Sequence, residues 1–305
     1  MQTETLHPDA DGVYSVPPTG FVDEDNDTYQ ASDAISKSQL DAIAKSPLHW
    51  WHRYVNPDRE PSESTPALVL GSAVHAAVLE PDLFLSQYAV APEDAPKRPT
   101  SRQIEAKKPS IETLDAIAYW RDFEAANTGK ILLTPDQMKA AIGMRDAAHS
   151  HPIARQLLRG GVAEQSVYAT CQRTGARVKC RIDYLRSEAG MIVDLKTTED
   201  ASPAAFGRSS ANWRYPVQTA HYQDVMSSAF GEAPPYWVFL AIEKSPPYAI
   251  GVYYVDETVA SIGRQMARRD LDALLAARQS GVFPGYSTEV QPLEMPGWWI
   301  KGAGL

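Results

Sequence analysis

The sequence predicts an α/β fold in which a mainly helical N-terminal part precedes a mixed sheet that contains an antiparallel meander and is flanked by helices. Three observations predict it. Apolar residues recur at helical spacing through much of residues 34–160, apolar and polar residues alternate with period two through residues 162–197, and a helix, two strands and a last helix follow. This order of elements indicates one α/β domain.

Length and composition are those of a globular protein, with 305 residues of which 44% are hydrophobic. The formal net charge is -9, but residues 1–36 contain eight of the 38 acidic residues and no Lys or Arg, so the rest of the chain is near neutral. This balance neither requires nor excludes a nucleic-acid partner. No apolar run approaches the roughly 20 residues of a membrane span, and no signal peptide is apparent, so we expect a cytoplasmic protein without a membrane partner.

The chain is predicted to consist of a tail and one domain. Residues 1–33 are polar, acidic and interrupted by prolines, which predicts a flexible tail. Residues 34–305 form the domain, which divides into a mainly helical part, a sheet core and a C-terminal tail: residues 34–160, 161–280 and 281–305.

Four helices are predicted in the N-terminal part. The first begins with a capping box of Ser36 and Gln39. The second, PALVLGSAVHAAVLEP, is largely buried and carries His75. A basic, proline-rich loop covers about residues 91–110, a third helix follows it, and the fourth begins at Thr134 with another capping box.

The sheet core begins with VAEQSVYATC, RVKCRIDYLR and GMIVDLKT, which alternate with period two and are joined by short polar turns. They predict a three-stranded antiparallel meander. A helix from about Pro216 to Phe230, the strands YWVFLAIEK and YAIGVYYV, and a helix over about 256–279 complete the core.

The meander places two aspartates in adjacent strands. If residues 187–190 form the hairpin loop, Arg186 pairs with Met191, and the same register places Asp183 directly opposite Asp194. Like charges at opposed positions destabilise a sheet, so a cation is expected between them.

A divalent cation meets this expectation, because two carboxylates supply the oxygen ligands that Mg²⁺ prefers. Lys196 lies on the face of Asp194 and is placed to orient or deprotonate a water. The alternative is a surface aspartate, Asp183, paired with Arg181 or Lys179 and no ion. A slip of one residue in the register would also separate the two aspartates. The order and spacing of both aspartates and the lysine favour a metal site.

Asp183 followed by Asp194-Leu195-Lys196 resembles the signature of the PD-(D/E)xK nucleases, whose core is restriction-endonuclease-like. The resemblance implies that the two aspartates and the Leu195 carbonyl hold catalytic Mg²⁺, for which Mn²⁺ is expected to substitute. It also implies that the lysine assists the attacking water.

Further positions resemble the RecB-like branch of these nucleases. GSAVHAAVLE resembles its G-x-x-x-H element, which implies that His75 is a metal ligand, and QTAHY resembles its Q-x-x-x-Y motif, which implies that Gln218 and Tyr222 support the lysine and the DNA. Glu164 matches a glutamate that related exonucleases place beside the metals. Each position also has a structural alternative, as a core histidine, helix-packing residues or a solvated strand residue. With two cysteines, the chain does not resemble the iron–sulfur nucleases of this branch.

The stretches AISKSQLDAIAKSPLHWWHRYVNP, TPALVLGSAVHAAVLEP and KCRIDYL with IVDLKTT resemble the RecE-type exonuclease VIII family, from about Ile35 to past Phe230. This resemblance implies a 5′-to-3′ exodeoxyribonuclease that degrades linear double-stranded DNA to leave 3′ single-stranded tails for recombination by strand annealing. It also implies a single-strand annealing protein as partner, a ring-shaped homo-oligomer, with four subunits favoured over three, and the cytoplasm of a bacterium or phage-infected host.

Two alternative functions stay open. One is the same chemistry on single-stranded or flap DNA, and the other is a non-catalytic protein that binds DNA ends. Trp50, Trp51 and Tyr54 could stack on an unpaired base, but we expect at least two of them to pack in the core.

Overall fold

The computed structural model describes residues 4–5, 19–60, 65–297 and 299. Its strands are β1 (Glu4–Thr5), β2 (Gly20–Asp23), β3 (Tyr88–Val90), β4 (Ile131–Leu133), β5 (Val162–Thr170), β6 (Arg177–Arg186), β7 (Met191–Thr198), β8 (Tyr236–Glu243) and β9 (Ile250–Tyr254). Its helices are α1 (Asn26–Ala31), α2 (Lys37–Lys45), α3 (Pro47–Tyr54), α4 (Pro66–Leu79), α5 (Pro81–Gln87), α6 (Ser101–Ile104), α7 (Ile111–Ala126), α8 (Pro135–Ser150), α9 (Pro152–Leu157), α10 (Pro203–Asn212), α11 (Tyr215–Phe230) and α12 (Glu257–Ser280).

The main sheet is mixed and has the strand order β1-β2-β5-β6-β7-β8-β9. The predicted meander is confirmed, because β5, β6 and β7 pair antiparallel in succession. β7 and β8 pair in parallel, with the crossover through α10 and α11, and β9 returns antiparallel to β8. The predicted α/β class with a mixed sheet flanked by helices is therefore confirmed. None of the helices in the described residues is long and apolar enough to span a membrane.

Helices cover both faces of the sheet and create two hydrophobic cores. Along β8, Trp237 and Phe239 enter the first core, with residues of α11 and α12, whereas Val238 and Leu240 enter the second core, with residues of α4 and α8. A strand buried on both faces is typical of the centre of an α/β sheet. The candidate active site lies between these two cores.

The predicted first helix is two helices, α2 and α3, which meet at Ser46 because Pro47 starts a new helix there. The predicted capping box of Ser36 and Gln39 is wrong. Ser36 makes no side-chain cap, and the buried Gln39 instead accepts a hydrogen bond from the indole N–H of Trp50 at 3.2 Å. The capping box that begins α8 is present as predicted.

The beginning of the C-terminal tail packs on α3. Phe283 lies against Trp50, with ring centroids 5.8 Å apart, and also contacts Trp51. Trp50 is only 1% exposed, and Trp51 and Tyr54 are partly buried against the first core. The prediction that at least two of these three aromatic residues pack in the core is confirmed.

The predicted flexible tail is wrong for residues 4–5 and 19–33, which take part in the fold, so the domain begins before residue 34. β2 pairs antiparallel with β5, and α1 places Tyr29 in a small buried cluster with Val22 and Tyr168. A few apolar residues between the acids are enough to cover the edge of the sheet, although their spacing is not periodic. Residues 1–3 and 6–18 lie outside the described residues.

Lys179 of β6 ties this N-terminal segment to the sheet. The residue is only 2% exposed, and its ammonium donates to the carbonyl oxygens of Tyr29 and Ser32, the latter at 2.9 Å. The ammonium also lies 4.4 Å from the centroid of the Tyr29 ring. Burial lowers the pKa of Lys179 to about 8.

We expect the free energy of unfolding to rise between pH 8 and pH 10.5 because of Lys179. The unfolded chain keeps the lysine proton up to its ordinary pKa, whereas the folded chain releases it above about 8, so folding is favoured increasingly across this window. The increment is roughly 3 kcal/mol in total. Urea unfolding at the two ends of the window, for wild type and Lys179→Met, measures it.

The exposed Lys139 of α8 supplies the control, since Lys139→Met should keep the pH dependence of the wild type. An increment that persists undiminished in Lys179→Met would contradict the assignment to this lysine.

Candidate active site

The sheet forks between β6 and β7. These strands pair at three positions from their hairpin, the last of which is Tyr184↔Val193, and the predicted register is confirmed. Beyond that position β6 stays paired with β5 and β7 stays paired with β8. Asp183 and Asp194 occupy the next opposed positions, so the two carboxylates stand where the strands separate.

Glu164 and Asp183 mark the point at which β5 and β6 change face. The register on both sides places Glu164 opposite Asp183, and Glu164 has a φ of 51°, in the left-handed region. Ile182 packs in the first core but Tyr184 packs in the second, so the period-two alternation of β6 is interrupted at Asp183. A non-glycine residue in this conformation costs about 1–3 kcal/mol, and such strain is concentrated at functional sites.

His75 joins Glu164 and Asp183 from α4. Its Nδ1 lies 3.7 Å from Glu164 Oε1 and 3.7 Å from Asp183 Oδ2. One donor atom from each of the three residues lies within 4.8 Å of the others, a distance that suits the ligands of one metal ion. An imidazole with two carboxylates is a donor set suited to a divalent cation such as Mn²⁺ or Mg²⁺.

The electrostatics of this group favour a bound cation. Burial, with the charge of Asp194 in addition, raises the pKa of Asp183 to about 7. Burial lowers the pKa of His75, but the carboxylates of Asp183 and Glu164 outweigh it and raise that pKa to about 9. Burial opposes the ionisation of Glu164, and its contacts with His75 and Arg181 nevertheless lower its pKa. A divalent cation would replace the protons held on this group.

Asp194 lies beside this group and is held by other side chains. Lys196 forms an ion pair with Asp194 Oδ1, and Gln218 of α11 donates from Nε2 to Asp194 Oδ2 at 2.6 Å. Burial lowers the pKa of Lys196, but Asp194 and then Asp183 raise it overall above its ordinary value. The Lys196 ammonium also lies 5.0 Å from the centroid of the Tyr215 ring. The lysine is therefore held as a cation between a carboxylate and an aromatic face.

One hydrogen bond joins the two halves of the site. The N–H of Leu195 donates to Asp183 Oδ2 at 2.8 Å. This hydrogen bond links β7, which carries Asp194, to the aspartate of β6. The alternative pairing of Asp183 with Arg181 or Lys179 is not observed. Arg181 instead donates to Glu164 Oε2 at 2.9 Å, and Lys179 is used by the N-terminal segment.

The structure thus brings the predicted residues into two adjacent groups. His75, Glu164 and Asp183 form a candidate metal-ligand group. The sequence predicts Asp194 and the Leu195 carbonyl as ligands beside His75 and Asp183, and Glu164 as a residue next to the metals. Asp194, Lys196 and Gln218 form the second group.

Tyr222, one helical turn after Gln218, lies outside both groups. Its ring packs edge-on against Trp237, with centroids 5.5 Å apart, at the margin of the first core. Burial raises the pKa of Tyr222 well above its usual value, so the hydroxyl stays protonated.

Sequence reasoning missed two residues of the site. Arg181 orients Glu164, and it could have been found because it shares a strand face with Asp183 two residues later. Tyr215 lies under Lys196, and no sequence motif points to it.

The first turn of α11 is positioned by close packing on α12. Gly263 of α12 touches the carbonyl of Pro216, and a Cβ atom at this position would overlap that oxygen. The absence of a side chain at Gly263 therefore sets how closely α12 approaches the turn that carries Gln218.

The sequence matches the family described as "PDDEXK-like domain of unknown function (DUF3799)" over residues 36–295. No curated protein matches it.

Two solved structures are similar to this one. The first, a protein from Eubacterium rectale described as a candidate exonuclease, has a TM-score of 0.59 and 15% sequence identity over 93% of this chain and 100% of that chain. At this identity the likeness shows a shared fold. The second, SSO0001, has 12% identity over 69% of this chain and 87% of that chain, and its TM-score of 0.26 does not indicate a shared fold.

The geometry predicts that Glu164→Gln and His75→Asn each weaken the binding of Mn²⁺ by about tenfold or more, since each removes one donor from a group of three. Isothermal titration calorimetry with the metal alone measures the affinity. Glu188→Gln, in the exposed hairpin turn, is the control and should bind as the wild type does. Unchanged affinity in both site variants would show that the ion binds elsewhere.

Proposed function

The chain belongs to the family of PDDEXK-like domains designated DUF3799, and on this basis we propose that it is a metal-dependent nuclease. From the resemblance of its motifs to the exonuclease VIII family, we propose further that it is a 5′-to-3′ exodeoxyribonuclease acting on linear double-stranded DNA. Membership confirms the predicted PD-(D/E)xK superfamily, and the fold shared with the Eubacterium rectale protein agrees with it. One observation carries the proposed chemistry. Glu164, Asp183 and Asp194 occupy neighbouring strands at a fork, with His75 on one side and Lys196 on the other.

The proposed cofactor is Mg²⁺, with Mn²⁺ as a substitute. His75, Glu164 and Asp183 would hold the ion. Asp194 and the carbonyl of Leu195, whose N–H donates to Asp183, are further candidate ligands. A divalent cation supplies a Lewis acid for the phosphate and a bound water of lowered pKa.

Lys196 is proposed to orient the attacking water and to stabilise the charge that develops on the phosphate. Its ammonium form is favoured by Asp194, which supports these roles over removal of a proton. Gln218 holds the second oxygen of Asp194 and so keeps the carboxylate in the orientation that the lysine needs. Tyr222 packs one turn behind Gln218 and supports the helix that carries it.

The polarity and the biological role are proposed from the resemblance of the motifs to the exonuclease VIII family. The product would be duplex DNA with 3′ single-stranded tails, which a single-strand annealing protein would use in recombination. The same resemblance supports a ring-shaped homo-oligomer of four subunits, or three, around the DNA.

Digestion of linear duplex DNA labelled separately at its 5′ and 3′ ends tests the proposal. We expect the 5′ label to be released first with Mg²⁺ and to be retained with EDTA. Lys196→Ala should lower the rate at least ~100-fold, because it removes a cation aimed at the reacting phosphate. Lys139→Ala, at an exposed position of α8, should cleave as the wild type does.

Other results of the digestion would contradict part of the proposal or support one of its alternatives. First release of the 3′ label would contradict the polarity, and cleavage of single strands or flaps alone would support the alternative substrate. Undiminished turnover in Lys196→Ala would contradict the role of the lysine. Binding of DNA ends without any degradation would support the non-catalytic alternative.

Asp194→Ala and Lys196→Ala should differ in metal binding. Asp194 is an acid beside the ligand group, whereas Lys196 is a cation, so we expect loss of the aspartate to weaken Mn²⁺ binding and loss of the lysine to preserve it. Calorimetry with Mn²⁺ on both variants measures this. Weakened binding in Lys196→Ala alone would reverse the two roles.

A further inference from the structure

Trp213 exposes a large aromatic surface between α10 and α11. Its side chain is 65% exposed, which is the largest exposure among the tryptophans that the structure describes, whereas Trp50 and Trp237 are 1% and 2% exposed. Tryptophan is a large, mostly apolar side chain and gains most from burial. The exposed ring offers a large π-face to a ligand.

The backbone that carries Trp213 is held firmly. The N–H of Trp213 donates to the carbonyl of Ser209 at 2.9 Å, and its own carbonyl accepts from Lys37 Nζ of α2 at 2.8 Å. The next residue, Arg214, has a left-handed conformation with a φ of 56°. Its guanidinium donates to Asp41 at 2.9 Å, which anchors it to α2.

Arg214 is also anchored to the opposite helix. Its guanidinium forms an ion pair with Asp270 of α12, a carboxylate that is only 2% exposed. Contacts from α2 and α12 thus stabilise a left-handed backbone conformation that residues other than glycine rarely adopt. The consequence is a rigid support for a side chain that itself contacts solvent.

The backbone of Trp213 lies near the proposed active site. Tyr215, two residues after Trp213, lies under the Lys196 ammonium, and Gln218, in the same first turn of α11, holds Asp194. Two residues of chain span at most about 7 Å, so the Trp213 backbone lies close to the groups that face the phosphate. Lys37, which binds the Trp213 carbonyl, is near enough to Lys196 for the two charges to repel.

We propose that Trp213 stacks on the 5′-terminal nucleobase of the strand whose phosphodiester bond reaches Asp194 and Lys196. This inference rests on the proposed function and adds a feature of the substrate to it. The π-face of a nucleobase is the chemical partner that an exposed indole on a firmly held backbone fits, whatever the sequence of the DNA. Stacking of this kind holds the terminal base away from its complement, so the end of the duplex is opened before cleavage.

Trp50, Trp51 and Tyr54, which the sequence suggested as residues that could stack on a base, are not suited to this role. Trp50 is buried, and Trp51 and Tyr54 pack against the first core. Trp213 is exposed and lies two residues before Tyr215, whose ring contacts Lys196.

A thermodynamic cycle between the indole and the base tests the proposal. Binding of labelled linear duplexes is measured by fluorescence anisotropy with Ca²⁺ in place of Mg²⁺, to follow binding apart from cleavage. One duplex carries a normal 5′-terminal nucleotide and the other an abasic nucleotide at that position. Wild type is expected to bind the normal end about tenfold more tightly, and Trp213→Ala is expected to bind both ends equally.

Two further variants control for folding and for exposed tryptophan in general. Trp213→Phe retains an aromatic ring and should keep most of the preference for the normal end. Trp299→Ala removes another exposed tryptophan, 49% exposed, and should behave as the wild type does. A preference that survives in Trp213→Ala, or that is absent from the wild type, would overturn the proposal.

This measurement separates the failure of the two proposals. Suppose that the wild type cleaves no DNA with Mg²⁺ but prefers the normal end, and that Trp213→Ala lacks this preference. The exonuclease proposal then fails and the stacking proposal stands. If wild type cleaves DNA and Trp213→Ala keeps the preference, the stacking fails and the exonuclease proposal stands. If wild type binds no DNA end, both are overturned.

Discussion

Repulsion among three carboxylates on neighbouring strands is the constraint on which the rest of the site depends. Such a row destabilises a sheet unless each charge is compensated. The structure compensates all of them from different elements: Glu164 by Arg181, Asp183 by His75, and Asp194 by Lys196. The separation of β6 from β7 at this point provides the space in which a cation could complete the compensation.

The fork can be held open only because both faces of the sheet are closed by helices. α4 packs in the second core and brings His75, whereas α11 packs in the first core and brings Gln218. Tight packing fixes the position of α11, since Gly263 admits the Pro216 carbonyl where a methyl group would not fit. The chemistry of the site thus depends on residues of α12 that do not contact it.

The same helix start is stabilised from the side of α2. Arg214 links α2 to α12 through Asp41 and Asp270 while its backbone adopts a left-handed conformation. The site therefore lies between two residues with a strained, left-handed backbone, Glu164 on the sheet and Arg214 at the start of α11. Both strained residues are held by charged contacts, as expected where a fold maintains a backbone conformation for function.

The sequence by itself determined the local features: the meander, its hairpin register, the shared face of Asp194 and Lys196, and the family signature. These depend on period-two alternation and turn chemistry, which act over a few residues. Only the tertiary structure decided that Glu164 joins His75 and Asp183, that Tyr184 changes face, and that residues 19–33 cover the sheet edge. Those outcomes depend on a backbone kink and on packing between segments distant in sequence, for which no local pattern carries a signal.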